Sequence, residues 1–277
     1  MIARAKIEAD LNEVGRQDDA AIDLARTALL LAALDRPGVA LERYRRHLDQ
    51  LAAAVGRAAA GAATPEERVG ALNQVLFTEH GYQGDTQTYD DLQNANLMRV
   101  IDRRKGLPVA LGILYIHGAR AQGWEMAGLD FPAHFLVRLE SGGGRLILDP
   151  FARGAVVEAG GLRTLVKRFQ GPAAELEARF HEPAGNRAVL LRLQNNIKLR
   201  ALARHDPGRA LRVLESMALI APDNAPTWRE LGYLRAGGGD AEGAIAALER
   251  FLELAQGADE RHRAAILLQK LGRRRGA

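Results

Sequence analysis

Over residues 1–80 aliphatic positions recur every three to four residues, and Ile22, Leu24, Ala25, Ala28 and Leu29 fall on one side of a helix. Pro37-Gly38 and the stretch from Gly61 to Pro65 interrupt the pattern. Three or four helices are therefore expected, with those five residues turned toward a core. Gly81 to Tyr89 is polar and poor in aliphatics, which predicts a loop. Leu97, Val100 and Ile101 resume a helix that ends near Lys105-Gly106. From Pro108 to Gln122 the chain is strongly apolar. Proline suits a first helical position because its missing N–H has no partner there anyway. Leu111, Leu114, Tyr115 and Ala119 then repeat at helical spacing, predicting a central, buried helix.

The period changes after Gly123. Phe135, Val137 and Leu139 alternate with Leu136, Arg138 and Glu140, as in a strand with one buried face. Ser141 to Gly144 is a turn, Arg145 to Leu148 reads as the returning strand, and a third short strand is expected at Ala155 to Glu158. Helices followed by a hairpin make this part α+β. A boundary is expected near Pro183 to Asn186, dividing the chain into 1–183 and 184–277. Beyond it every segment looks helical and a period of 34 appears. Trp228-x-x-Leu231-Gly232, then Ala244 and Leu248, fit a tetratricopeptide repeat. One period earlier, Ala210 and Leu214 match, Pro222 closes the unit, and Gln194 and Lys198 replace the Trp and Gly. Two such units cannot bury their faces alone, so they are expected to lean on a capping helix, for which Glu260 to Leu271 is the candidate, or on the first domain.

Charge and composition narrow the function. The formal charge is +4, but the basic residues are dispersed rather than clustered on one segment, which argues against nucleic acid. The chain has no cysteine, so disulfides, thiolate metal sites and cysteine catalysis are excluded. Ala28 to Leu34 is too short to cross a bilayer. The first thirty residues carry Glu8, Asp10, Glu13, Asp18, Asp19 and Asp23, unlike a signal peptide. A cytoplasmic protein with no membrane association is expected. His117, His134 and Asp149 lack ligand spacing, and Gly142 to Gly144 joins strands rather than opening a helix, so neither metal nor cofactor is expected. Trp124 and Trp228 read as core anchors.

Four segments carry the chemistry: Tyr89 to Leu97 with Asn94 and Asn96, Arg103-Arg104-Lys105-Gly106-Leu107-Pro108, Phe131-Pro132-Ala133-His134-Phe135, and Asp149-Pro150-Phe151. In order and spacing they resemble the SirB-type bacterial transglutaminase-like proteins with C-terminal tetratricopeptide repeats, along nearly the whole chain. The resemblance implies a papain-like helix-plus-sheet core with a helical N-terminal part over 1–183, then an all-α repeat region over 184–277. In active members of the wider group a cysteine opens the central helix, and a histidine and an aspartate lie on neighbouring strands. Carried over, His134 matches the base and Asp149 the residue that orients it.

The cysteine would fall within Gly106 to Gly112, at or beside Pro108. That segment reads Gly-Leu-Pro-Val-Ala-Leu-Gly, and the only serines of the chain are Ser141 and Ser216. A thiolate is nucleophile and leaving group in such chemistry, and the orienting pair cannot replace it. The expected protein is thus a pseudoenzyme with a regulatory role. It would hold a protein or peptide partner through the repeats, around Trp228, Leu231 and Gly232. The alternative is a hydrolase, acyl-transfer enzyme or ligand sensor using the residual His134/Asp149 cleft. Of Asn94 and Asn96, one is expected to cap a helix and the other to line that cleft. Arg103-Arg104-Lys105 reads as a solvated helix end that complements the helix dipole.

Overall fold

The structure, a computed structural model, describes residues 4–275. Four helices open it: α1 (Arg4–Arg16), α2 (Leu24–Leu34), α3 (Glu42–Ala58) and α4 (Pro65–Asn73), the last running on as a π-helical turn over Gln74–Glu79. Local chemistry sets their starts. The Asp23 side chain accepts from the Arg26 N–H at the head of α2. Thr64 and Glu67 form a capping box around Pro65 at the head of α4. Ile22, Leu24, Ala25, Ala28 and Leu29 are all buried, as their spacing requires.

Next come β1 (Gln83–Gly84), α5 (Leu97–Arg103), β2 (Lys105–Gly106) and α6 (Pro108–Arg120). β1 and β2 pair in parallel, so the segment expected as a loop contains a short strand. The first part ends with β3 (Glu125–Leu129), β4 (Val137–Ser141), β5 (Gly144–Asp149), β6 (Ala155–Val156), α7 (Ala159–Gln170) and β7 (Pro183–Ala184). The larger sheet is antiparallel, in the order β6-β5-β4-β3-β7.

Helix α6 is the hub. Apart from half-buried His117, every residue from Pro108 to Ala119 is buried. The helix packs against α2, α3, α4, α5 and β3. The fully buried Phe135 ring enters a slot between α6 and β3: a Cβ on Gly112 would lie 2.3 Å from it, and one on Gly128 2.6 Å. Leu136, next along the chain, points the other way. It joins Leu129, Phe131, Ile147 and Phe180 beneath Leu162 and Val166 of α7. The alternation places Leu136 on a polar face, but α7 covers that face and buries it.

The basic run after α5 is not a solvated helix end. Arg103 donates to the buried Asp85 carboxylate (Nη2 to Oδ2, 3.1 Å) and to Asn94 Oδ1 (2.9 Å). Arg104 adopts a left-handed backbone, φ 58°, and donates to Tyr82 Oη (2.5 Å). Its Nη1 is 2.8 Å from His47 Nε2, which is also 2.7 Å from Tyr82 Oη. Arginine only donates, so His47 Nε2 accepts and carries no proton. Burial, then Arg104 and His80, push the His47 pKa down from 6.5 to about 4.

The unfolded chain takes up that proton near pH 6.5, while the folded chain resists until about pH 4. The His47 contribution is therefore complete above pH 6.5 and lost as pH falls through that window. His47→Gln is expected to flatten the fall in urea midpoint between pH 7 and pH 4.5. Parallel wild-type and variant profiles would count against this account.

The remaining helices are α8 (Asn186–Ala203), α9 (Pro207–Ile220), α10 (Ala225–Gly237), α11 (Ala241–Leu254) and α12 (Ala258–Arg275). The chain forms two compact units: Gln17–Leu193 with the first turn of α1, and Glu8–Arg16 with the chain from Gln194 onward. The 183/184 division falls within β7, which pairs with β3.

In the second unit Gly232 lets α10 approach α11, since a Cβ there would lie 2.7 Å from Leu248 Cγ. α12 caps α11 through Ala264 and Leu271. Gln194 and Lys198, in the positions the pattern gives to Trp and Gly, are buried polar residues, and Lys198 pairs with Glu230. Both tryptophans are half-buried; Trp228 packs against the core of the second unit, whereas Trp124 lies outside the core clusters. The Trp124 ring faces the Arg68 guanidinium at 5.6 Å, and Trp228 Nε1 donates to the Pro222 carbonyl at 2.8 Å.

Candidate functional site

Hairpin register brings His134 to Asp149. Val137 pairs with Leu148, so His134, three residues before β4, meets Asp149, the last residue of β5. His134 Nε2 lies 2.8 Å from Asp149 Oδ2. The other carboxylate oxygen, Oδ1, accepts from the Phe151 and Ala152 N–H groups at 2.9 and 3.2 Å. The Asp149-Pro150-Phe151 turn therefore fixes the carboxylate, and the carboxylate fixes the ring. An ionised carboxylate only accepts, so Nε2 carries the proton and Nδ1 is the basic position of the neutral ring. Ala133, just before the histidine, has φ 58°, a left-handed conformation that costs energy outside glycine.

Aromatic rings enclose the pair. Phe151 meets the His134 ring edge-on (88°, 6.4 Å between centroids), and Phe169 lies nearly parallel to it (12°, 6.0 Å). Phe169 is 42% exposed, although it continues the stripe of buried Leu162 and Val166 along α7. Tyr89 packs edge-on against Phe151 at 5.8 Å. Arg192 of α8 donates to the Phe131 carbonyl (2.7 Å) and lies over the Phe135 ring, bracing the segment that carries His134. The sequence pattern missed Phe169 and Arg192. The signal for Phe169 is its spacing three residues beyond Val166 and seven beyond Leu162, in a helix that opens on the poor formers Gly160-Gly161.

The expected nucleophile segment lies at the head of α6. Gly106 of β2 pairs with Gly84, and a Cβ on Gly84 would lie 2.6 Å from the Phe151 ring that abuts His134. This chain of contacts ties the segment to the pair. Its side chains are apolar and buried: Leu107, Val109, Ala110 and Leu111 are each 2% exposed or less. Cysteine, serine and threonine are all missing from Gly106 to Gly112.

Asn94 and Asn96 do not stand in a cleft. Asn96 accepts from the Arg99 N–H to cap α5 and donates to the Ala32 carbonyl. Asn94 is fully buried, donating to the Thr88 carbonyl (2.6 Å) and accepting from Arg103. Leu231 and Gly232 are buried in the α10–α11 packing, so the motif that marks the repeat is a packing pattern rather than a contact surface. Trp228 is half-buried beside them. His117 is held by the Leu48 carbonyl, and no group of three or more potential metal ligands occurs among the described residues.

Residues 42–195 match the transglutaminase-like superfamily, and residues 197–269 match the tetratricopeptide repeat. The chain is 30% identical to a UPF0162 protein of Xylella fastidiosa over 88% of both chains. It is 29% identical to a UPF0162 protein of Vibrio cholerae over 79% of this chain and 81% of the relative. A shorter likeness, 33% over 81 residues, is to human F-box only protein 21 and covers 13% of that protein. With its helix-plus-sheet core, its hairpin-borne His134–Asp149 pair and its C-terminal repeats, the chain belongs to the transglutaminase-like superfamily and, within it, to the UPF0162 proteins.

Proposed function

We propose that this protein is a transglutaminase-like pseudoenzyme that acts as a protein-interaction module through its repeats. One observation carries the reading: the base and its orienting carboxylate are in place at 2.8 Å, while the segment that should supply the nucleophile offers only buried apolar groups. A positioned base alone contributes roughly 100- to 10,000-fold. Amide chemistry also needs a nucleophile and a donor set for the oxyanion. Tetratricopeptide units generally mediate protein–protein contacts. Here the second unit leaves Leu199, Leu202, Tyr233 and Ile266 exposed, large apolar side chains available to a protein or peptide partner. No helix among the described residues is long and apolar enough to cross a membrane, and a cytoplasmic location goes with this reading.

Affinity capture with wild type, a Leu202→Glu/Tyr233→Glu variant and His134→Ala tests it, alongside turnover of glutaminyl amides and esters. The expected result is a partner lost only from the repeat-face variant, whose circular dichroism is unchanged, and no turnover. Turnover abolished by His134→Ala would show that the old site still works.

A further inference from the structure

A cavity of about 430 Å³ opens in the first unit between the start of α2, the middle of α3 and the C-terminal half of α6. Its size is that of a small-ligand site, roughly 300–1,000 Å³. It lies at the far end of α6 from the segment that approaches His134. The floor is aliphatic: Ile22, Ala25 and Ile116 are buried beneath it.

The polar groups of the wall are mostly engaged. Arg26 bridges Asp23 (3.4 Å) and Asp49 (3.3 Å). His117 Nε2 lies 3.1 Å from the Leu48 carbonyl, which only accepts, so that nitrogen donates. Arg120 is different. Its Nε donates to the Met126 carbonyl and its Nη1 to Asn186 Oδ1, both at 2.8 Å. Both acceptors are neutral, and Arg120 makes no ion pair among the described residues. The nearby acid Asp19 accepts from the backbone N–H groups of Asn186 and Arg187. Arg120 also lines a second cavity, of about 250 Å³, beside Trp124 and Met126. Asp19 and Asp23 act on Arg120 through space without a direct ion pair, and its Nη2 has no hydrogen-bond partner among the described residues. A guanidinium held still by two neutral acceptors in this way is a pre-formed receptor for a planar anion.

We propose that this cavity binds a carboxylate bearing a short aliphatic group, the carboxylate on Arg120 and the aliphatic part over Ile22 and Ile116. A free carboxylic acid and the C-terminus of a peptide share this chemistry. Calorimetry on the full chain with 4-methylpentanoate, N-acetyl-leucine and N-acetyl-leucine amide tests the proposal. At least one acid is expected to bind, with the amide weaker by about tenfold or more, as loss of a charge-assisted bond implies. Binding of 4-methylpentanoate assigns a free acid, and binding of N-acetyl-leucine alone assigns a peptide terminus. Arg120→Gln should lose about tenfold or more. Ala52→Phe, which narrows the cavity and leaves the Arg120 side chain itself unaltered, should lose binding too, while His134→Ala keeps it. The proposal is overturned if neither acid binds, if the amide binds equally well, or if Arg120→Gln matches wild type.

Discussion

Replacing Asp85 with alanine is expected to cost about 3–5 kcal/mol of folding free energy, the range for leaving one partner of a buried ion pair alone. The side chain is 1% exposed and accepts four hydrogen bonds: Gln87 N (3.2 Å), Thr88 N (2.9 Å), Thr88 Oγ1 (2.6 Å) and Arg103 Nη2 (3.1 Å). Burial works against its charge, yet the Thr88 donors, with the Asn94 amide and Arg103 close by, together hold the carboxyl well below its usual 3.8. Its contribution is thus present above pH 3.8 and lost as pH falls below it. Arg103→Leu should cost less, because the carboxylate keeps its Thr88 and Gln87 donors. Urea unfolding at pH 7 decides the matter. An Asp85→Ala midpoint close to wild type, or a larger loss from Arg103→Leu, would show that the network does not hold the 85–94 segment.

That network also marks where sequence reasoning runs out. Asp85 sits in a polar stretch without periodicity, and Arg103 looks like any helix-terminal arginine. Their pairing appears only once β1 is laid against β2. Asn94 was equally illegible, since a buried asparagine joining a loop carbonyl to an arginine leaves no spacing signal.

Elements with strong periodicity were readable: α6 from its apolar run, and the β4–β5 hairpin from its alternation and glycine turn. β3 was not, because Glu-Met-Ala-Gly-Leu lacks alternation and β-branched residues. It is a strand because β4 and β7 pair with it. The His134–Asp149 pair was legible through the resemblance of its two motifs to the transglutaminase-like pattern, and the β4–β5 register then brings the two residues together. The ring of Tyr89, Phe151 and Phe169 was not, since three separate segments build it.

Gly112→Ala is expected to disturb both the core and the candidate site. The new methyl would lie 2.3 Å from Phe135 Cε1, inside any allowed contact, and Gly128 closes the slot on the other side. Phe135 must therefore move, at a cost of about 1–3 kcal/mol for overpacking. Phe135→Ala leaves the slot empty and should cost about 3–5 kcal/mol. Because Phe135 directly follows His134, its displacement also shifts the imidazole against Asp149. The His134 ring resonances should then move in Gly112→Ala as well as in Phe135→Ala. The decisive measurement is the double variant Gly112→Ala/Phe135→Leu, in which the smaller side chain makes room for the methyl. Its loss should be smaller than the sum of the Gly112→Ala and Phe135→Leu losses, each measured singly, by about 1 kcal/mol or more, the coupling expected of residues in direct contact. Additive losses would mean that the slot adjusts elsewhere, and that Phe135 does not transmit the packing of α6 to the His134–Asp149 pair.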